Sequence, residues 1–110
     1  MDRTDALRAL LKADPANHFA RYGLAQELVK QGEDELAVGE FQHILAQNAD
    51  YQAAYYHAGK ALERLRRPGE ARTMYQQGIE ASFRTGNSHA RSELEAALVD
   101  LADRITIGPQ

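Results

Sequence analysis

The segments LRALL (7–11), FQHIL (41–45) and YQQGI (75–79) lie 34 residues apart, and each opens on a bulky side chain and closes on an apolar one. A single period sustained three times in 110 residues leaves few folds open, because each unit must pack on the next to bury its apolar face. Shifting the chain by 34 superposes Tyr22 on Tyr56, Leu28 on Leu62, Lys30 on Arg64 and Ala37 on Ala71. Leu7, Phe41 and Tyr75 form a bulky column, and Ala25 and Gly59 a small one where two helices must approach closely. Asp14, Asn48 and Ser82 form a third column, all of a type that caps helix N-termini.

Between the few Gly and Pro residues the chain is rich in Ala, Leu, Glu, Gln and Arg, which favour helix. Apolar residues recur three and four apart (Leu7, Leu10, Leu11; Leu24, Leu28; Leu94, Leu98, Leu101), and no segment alternates as a strand would. The pattern predicts one all-α domain over 1–105. Helix one covers about 3–13. Asp14 is expected to cap helix two, with Pro15 in its first turn, and that helix to end at Gly32. Helix three follows over 34–47. Asn48 is expected to cap helix four, reaching about Arg66; Pro68 opens helix five, which stops before Gly86; and Asn87 or Ser88 caps helix six, to about 103. Connections this short make consecutive helices antiparallel. The repeats then read as a half repeat at 3–15, whole repeats at 16–49 and 50–85, a capping helix at 87–103 and a flexible tail at 106–110.

The pattern Leu24-Ala25-x-x-Leu28-x-x-x-Gly32-x-x-x-x-Ala37-x-x-x-Phe41-x-x-Ile44 resembles the tetratricopeptide repeat (TPR) family. So do Ala58-Gly59-x-x-Leu62 and Ala71-x-x-x-Tyr75-x-x-Gly78, and Asp14-Pro15 is similar to the family's usual repeat ending. The second repeat departs from the pattern in lacking the turn glycine at Arg66, its breaker moving to Pro68-Gly69. Arg21 stands where an aromatic is common and Tyr55 keeps it, while Ala49 and Phe83 replace the closing proline. The resemblance implies a right-handed α-α superhelix of about six antiparallel helices, whose groove holds peptide segments of other proteins.

Helical geometry gives the groove candidates. Phe19, Tyr22, Gln26 and Lys30 face away from the partner helix in the first repeat; Ala53, Tyr56, Lys60 and Arg64 do so in the second, with Tyr51 just before them. Tyrosine rings beside cations suit a peptide with backbone polar groups and an acidic side chain or carboxylate; equally, the tyrosines could cover helix joints and the cations be solvated. The carboxylate clamp of chaperone-binding TPR domains would fall on Tyr22, Gln26, His57, Asn87 and Arg91, and only Arg91 has the matching residue type. The competing reading is a structural subunit that pairs with itself as a homodimer, or with a larger assembly, through exposed helix edges, since a short stack has little core of its own.

Other chemistry has less to stand on. The net charge of −3 lacks the basic excess of a nucleic-acid binder, and the cluster Lys60, Arg64, Arg66, Arg67, Arg72 is interrupted by Glu63 and Glu70. Glu63 is expected to pair with Arg66 or Arg67 at helical spacing. His18, His43, His57 and His89 are scattered, and the acids of GEDE (32–35) read as helix-dipole partners; neither set has metal-ligand spacing. No phosphate loop, nucleophile elbow or thiol is present, so the expectation is a binding protein with neither catalysis nor cofactor. The absence of cysteine, and an acidic N-terminal stretch with no apolar run, are read as a cytoplasmic protein without a signal peptide or membrane span.

Overall fold

The computed structural model describes residues 2–107, without the side chains of Thr106 and Ile107. It contains six α-helices: α1 (Arg3–Ala13), α2 (His18–Lys30), α3 (Asp34–Gln47), α4 (Gln52–Arg64), α5 (Pro68–Thr85) and α6 (Ser88–Ile107). Each packs on the one before it, α4 also touches α6, and the stack forms a right-handed α-α superhelix. The last helix runs past the expected 103, so Thr106 and Ile107 belong to it; 108–110 lie outside the described residues.

Local sequence explains the ends, with two corrections. Asp14 and Asn48 do not cap the helices that follow. They are the C-caps of α1 and α3, their N–H groups donating to Leu10 and Ile44 oxygens, both at 2.8 Å. Each then opens a turn, accepting at its backbone oxygen from the N–H three residues on: Asn17 at 3.1 Å and Tyr51 at 3.2 Å. The cap of α2 is therefore Asn17, whose Oδ1 accepts from the Ala20 N–H at 2.9 Å, and α4 starts after Tyr51 with no side-chain cap. Ser82, the third member of the column, is buried inside α5, its hydroxyl donating to the Ile79 carbonyl at 2.6 Å. No turn forms there, and the helix runs on to Gly86, which takes φ 68°.

The second correction concerns Arg66. Gly32 ends α2 with φ 77°, and Arg66 ends α4 in the same left-handed conformation, φ 62°. The hydrogen bonds match too: Glu33 N–H to the Leu28 oxygen at 2.8 Å, Arg67 N–H to the Leu62 oxygen at 2.9 Å. The breaker has not moved to Pro68-Gly69; the arginine accepts a backbone conformation that glycine would take freely.

Two buried clusters make the core. Leu24, Phe41 and Ile44 centre the first, Leu62, Tyr75 and Leu94 the second, and half-buried Leu45 and Met74 pack against both. The small column does what close approach requires: a Cβ on Gly59 would lie 2.2 Å from the Tyr75 ring. Loops are tied down at equivalent places by unlike side chains. Arg21 donates to the Pro15 carbonyl at 3.1 Å and Tyr55 to the Ala49 carbonyl at 2.6 Å. Arginine thus does the aromatic's tethering work in the first repeat, held by Glu40 at 2.7 Å.

Charge pairing differs from the helical-spacing expectation. Arg67 lies at the N-cap of α5, outside α4, so it does not meet Glu63; Glu35 and Glu70 bind it instead. Glu63 accepts from the Tyr75 hydroxyl and from Arg104 of α6, with Lys60 at 3.9 Å. The acids of GEDE do more than meet the dipole of α3, since Asp34 chelates Arg64 and Glu35 holds Arg67.

Candidate functional site

The face shared by α2, α4 and α6 carries a run of aromatic rings. Tyr22 lies 5.5 Å from Tyr51 and 6.0 Å from His57, centroid to centroid, and His57 lies 5.3 Å from Tyr56. The core backs this run: Tyr22 packs edge-on to Phe41 at 6.0 Å, His57 stacks on Phe41 at 6.1 Å, and Tyr56 tilts against Tyr75 at 6.5 Å. The period produces the arrangement, because residues five into each first helix fall on one edge of neighbouring turns.

The rings are oriented by polar neighbours. Gln26 donates to the Tyr22 hydroxyl at 3.1 Å, and Lys60 sits 5.5 Å over the Tyr56 ring. Burial, with Tyr51 alongside, raises the Tyr22 pKa against the smaller lowering by Gln26, and burial raises that of Tyr51. Burial lowers the His57 pKa, outweighing the opposing pull of Glu93. At neutral pH the face therefore presents phenol hydroxyls and an uncharged imidazole, groups that both donate and accept hydrogen bonds.

Of the residues expected from sequence, the structure brings Tyr22, Gln26, Tyr51, Tyr56 and Lys60 together. Lys30 lies at the end of α2, largely exposed and 3.4 Å from Glu27. Phe19, 84 % exposed, stands at the rim beside a cleft between α1 and α2. Arg64 is bound by Asp34 in a two-pronged pair at the start of α3, and Arg91 stacks 4.8 Å over the Phe83 ring with Glu95 at 3.9 Å. Three contributors were not among the groove candidates read from the sequence. His57 sits in the middle of the run, and Glu93 and Asp100 of α6 border a recess of about 300 Å³ with Tyr56 and Lys60. His57 follows Tyr56 by one residue and so lies off its face of α4, and only packing brings it into the run; Glu93 and Asp100 align with Gly59 and Arg66 at the 34-residue shift, where neither counterpart is acidic.

Among the described residues, no group of three or more His, Cys, Asp or Glu is placed to hold a metal ion, and no helix is long and apolar enough to cross a membrane.

A family profile described as tetratricopeptide repeat matches residues 2–98. The chain is a tetratricopeptide repeat protein. No curated protein matches it in sequence. Among solved structures, a TPR domain protein from Salinibacter ruber is 39 % identical, with a TM-score of 0.75 over 80 % of this chain and 89 % of that one. The first TPR of Spaghetti (RPAP3), bound to an HSP90 peptide, is 21 % identical at a TM-score of 0.80, covering 94 % of this chain and 77 % of that one. PcrH, in complex with the chaperone binding region of PopD, is 15 % identical at 0.85, covering 92 % and 77 %. The last two share the fold. Membership places this TPR chain among protein-interaction modules.

Proposed function

We propose that this TPR protein is an adaptor that holds a peptide segment of a partner protein on the face of α2, α4 and α6. The observation that carries the reading is the unbroken run Tyr51–Tyr22–His57–Tyr56, half-buried and backed by the core. Rigid rings with hydroxyl and imidazole groups at their edges offer contact area and backbone hydrogen bonds at low entropic cost. Lys30 and Lys60 suit an acidic group on the ligand, and Glu93 with Asp100 suits a basic one at the α6 end. The peptide-bound Spaghetti TPR and the PcrH–PopD complex, alike in fold, support the same use of the architecture.

A C-terminal carboxylate clamp fits poorly. Asn87 caps α6 through the Ala90 N–H at 3.0 Å, and Arg91 is engaged by Phe83, which leaves the clamp positions without a free cation. We place the interaction in the cytoplasm, a setting that suits a chain without cysteine.

Selection of ligands from a displayed random-peptide library tests the proposal. Selected peptides should shift the NMR signals of Tyr22, His57 and Tyr56. Tyr22→Ala and Tyr56→Ala should each weaken binding about tenfold to thirtyfold, the 1.4–2 kcal/mol of an aromatic anchor. Peptides that bind both variants as tightly as the wild type would overturn it.

A further inference from the structure

Leu10 and Ile44 occupy the same place in successive repeats, yet Ile44 is wholly buried and Leu10 is 51 % exposed. Leu10, Leu7 and Arg3 form the face of α1 that corresponds to Ile44, Phe41 and Ala37 of α3. With that face α3 covers α2, and α5 covers α4 in the same way. On α1 Leu7 of that face is buried against Gly23 of α2, while among the described residues Leu10 and Arg3 are left exposed. The other end of the stack mirrors this. Ser92 and Ala96 of α6 correspond to Ala58 and Leu62 of α4 and to Leu24 and Leu28 of α2. Those four are buried, whereas Ser92 and Ala96 are exposed, with Val99 beyond them 60 % exposed. The two uncovered faces are the two halves of one interface, the joint between the first and second helix of a repeat.

We propose that the occupant of each is a second copy of this chain: α6 of one molecule seats in the α1–α2 cleft of the next, completing a repeat at the junction. The cleft measures about 460 Å³ and is lined by Leu7, Leu10 and Phe19, with Tyr22 and Gln26 at the edge it shares with the aromatic face. Charge complementarity favours this occupant. Glu93 takes the place of Ala25 and Gly59, the small residues at the closest helix approach. Across the junction it meets Leu7, smaller than its counterparts Phe41 and Tyr75. One turn before Leu7, where the other repeats have Ala37 and Ala71, stands Arg3, which pairs with Glu27 of its own molecule at 3.0 Å and keeps its side chain 66 % exposed to a second acid. Where Gly59 packs on the Tyr75 ring inside the stack, an acid thus faces a smaller side chain and a base between copies. The ends as a whole agree, since residues 3–30 carry five cations to three carboxylates and α6 two cations to four. Such a contact is head-to-tail and does not close on itself, so molecules add at either end and the aromatic face continues from one to the next.

Light scattering on three proteins tests this. Leu10→Glu spoils only the cleft and Val99→Glu only the α6 face; both positions are exposed, so thermal melts by circular dichroism should match the wild type. The wild-type mass should climb with concentration beyond twice that of the monomer, while each variant alone stays monomeric. An equimolar mixture of the two should reach twice the monomer mass and stop, because one intact cleft meets one intact α6. A second check is charge reversal: Arg3→Glu alone should shift association to at least tenfold higher concentration, and Arg3→Glu with Glu93→Arg should restore it. A wild type that stays monomeric, a mixture that stays monomeric, or a dimer that neither variant disturbs would each overturn the proposal.

Discussion

Arg66 holds φ 62° at the end of α4, where a side chain costs about 1–2 kcal/mol. Glycine would remove that strain and lose part of the gain to its freer unfolded chain. Arg66→Gly is therefore expected to raise stability by about 0.5–1 kcal/mol, read as a higher urea midpoint at unchanged slope. His57 gives a second residue-scale expectation. Burial lowers its pKa below the 6.5 of a free histidine, so the unfolded chain binds more protons than the folded one just below that pH. Its share of stability is present above pH 6.5 and is lost as pH falls from there toward the lowered folded value. Melting temperature should drop over that window in the wild type, and less steeply in His57→Gln; equal slopes would remove His57 as the cause. Some residue roles were readable in the sequence, such as the Ala25 and Gly59 column, because steric need at a close approach acts on the residue itself. The role of Asp14 was not: a residue that can start a helix can also end one, and only the turn to Asn17 decides.

At the scale of elements, the placing of α6 depends on contacts that no local pattern announces. Glu63 of α4 receives the Tyr75 hydroxyl of α5 and the guanidinium of Arg104 in α6, so one carboxylate binds three helices. Burial first, then the hydrogen bond to Glu63, pushes the Tyr75 hydroxyl pKa far up, and the phenol stays a donor throughout the physiological range. Tyr75→Phe keeps the ring against Gly59 but removes that donor from a carboxylate whose side chain is 11 % exposed. A loss of about 1–2 kcal/mol is expected, with hydrogen exchange accelerated in α6 more than in α2. Uniform acceleration would mean that the bond does not anchor α6 in particular. Helix positions followed from 3.6-residue periodicity, from the breakers Gly32 and Gly86 and from Pro68, which opens α5. The partner of Glu63 did not, because Arg104 is 41 residues away and helical spacing offered Arg66 and Arg67 first.

For the whole molecule, the two core clusters are joined by Leu45 and Met74, so neither has an independent boundary. Phe41→Ala should cost about 3–5 kcal/mol, and the loss should appear in signals from both ends of the stack. Matching urea transitions from Tyr22 in the first cluster and Tyr75 in the second would show one cooperative unit; separate midpoints would show two. The period of 34 already determined an all-helical stack, its column of bulky residues and the alignment of Tyr22 with Tyr56, because those features repeat and a repeat can only pack on its own kind. The candidate face was half legible on the same ground. Tertiary structure alone decided that His57 joins the aromatic run, that Arg64 and Arg91 are engaged elsewhere, and that Glu93 and Asp100 border the α6 end. Those outcomes depend on which side chain reaches which neighbour across a helix joint, and α6, though in register with α2 and α4 at the 34-residue shift, carries side chains there that the repeats do not foretell.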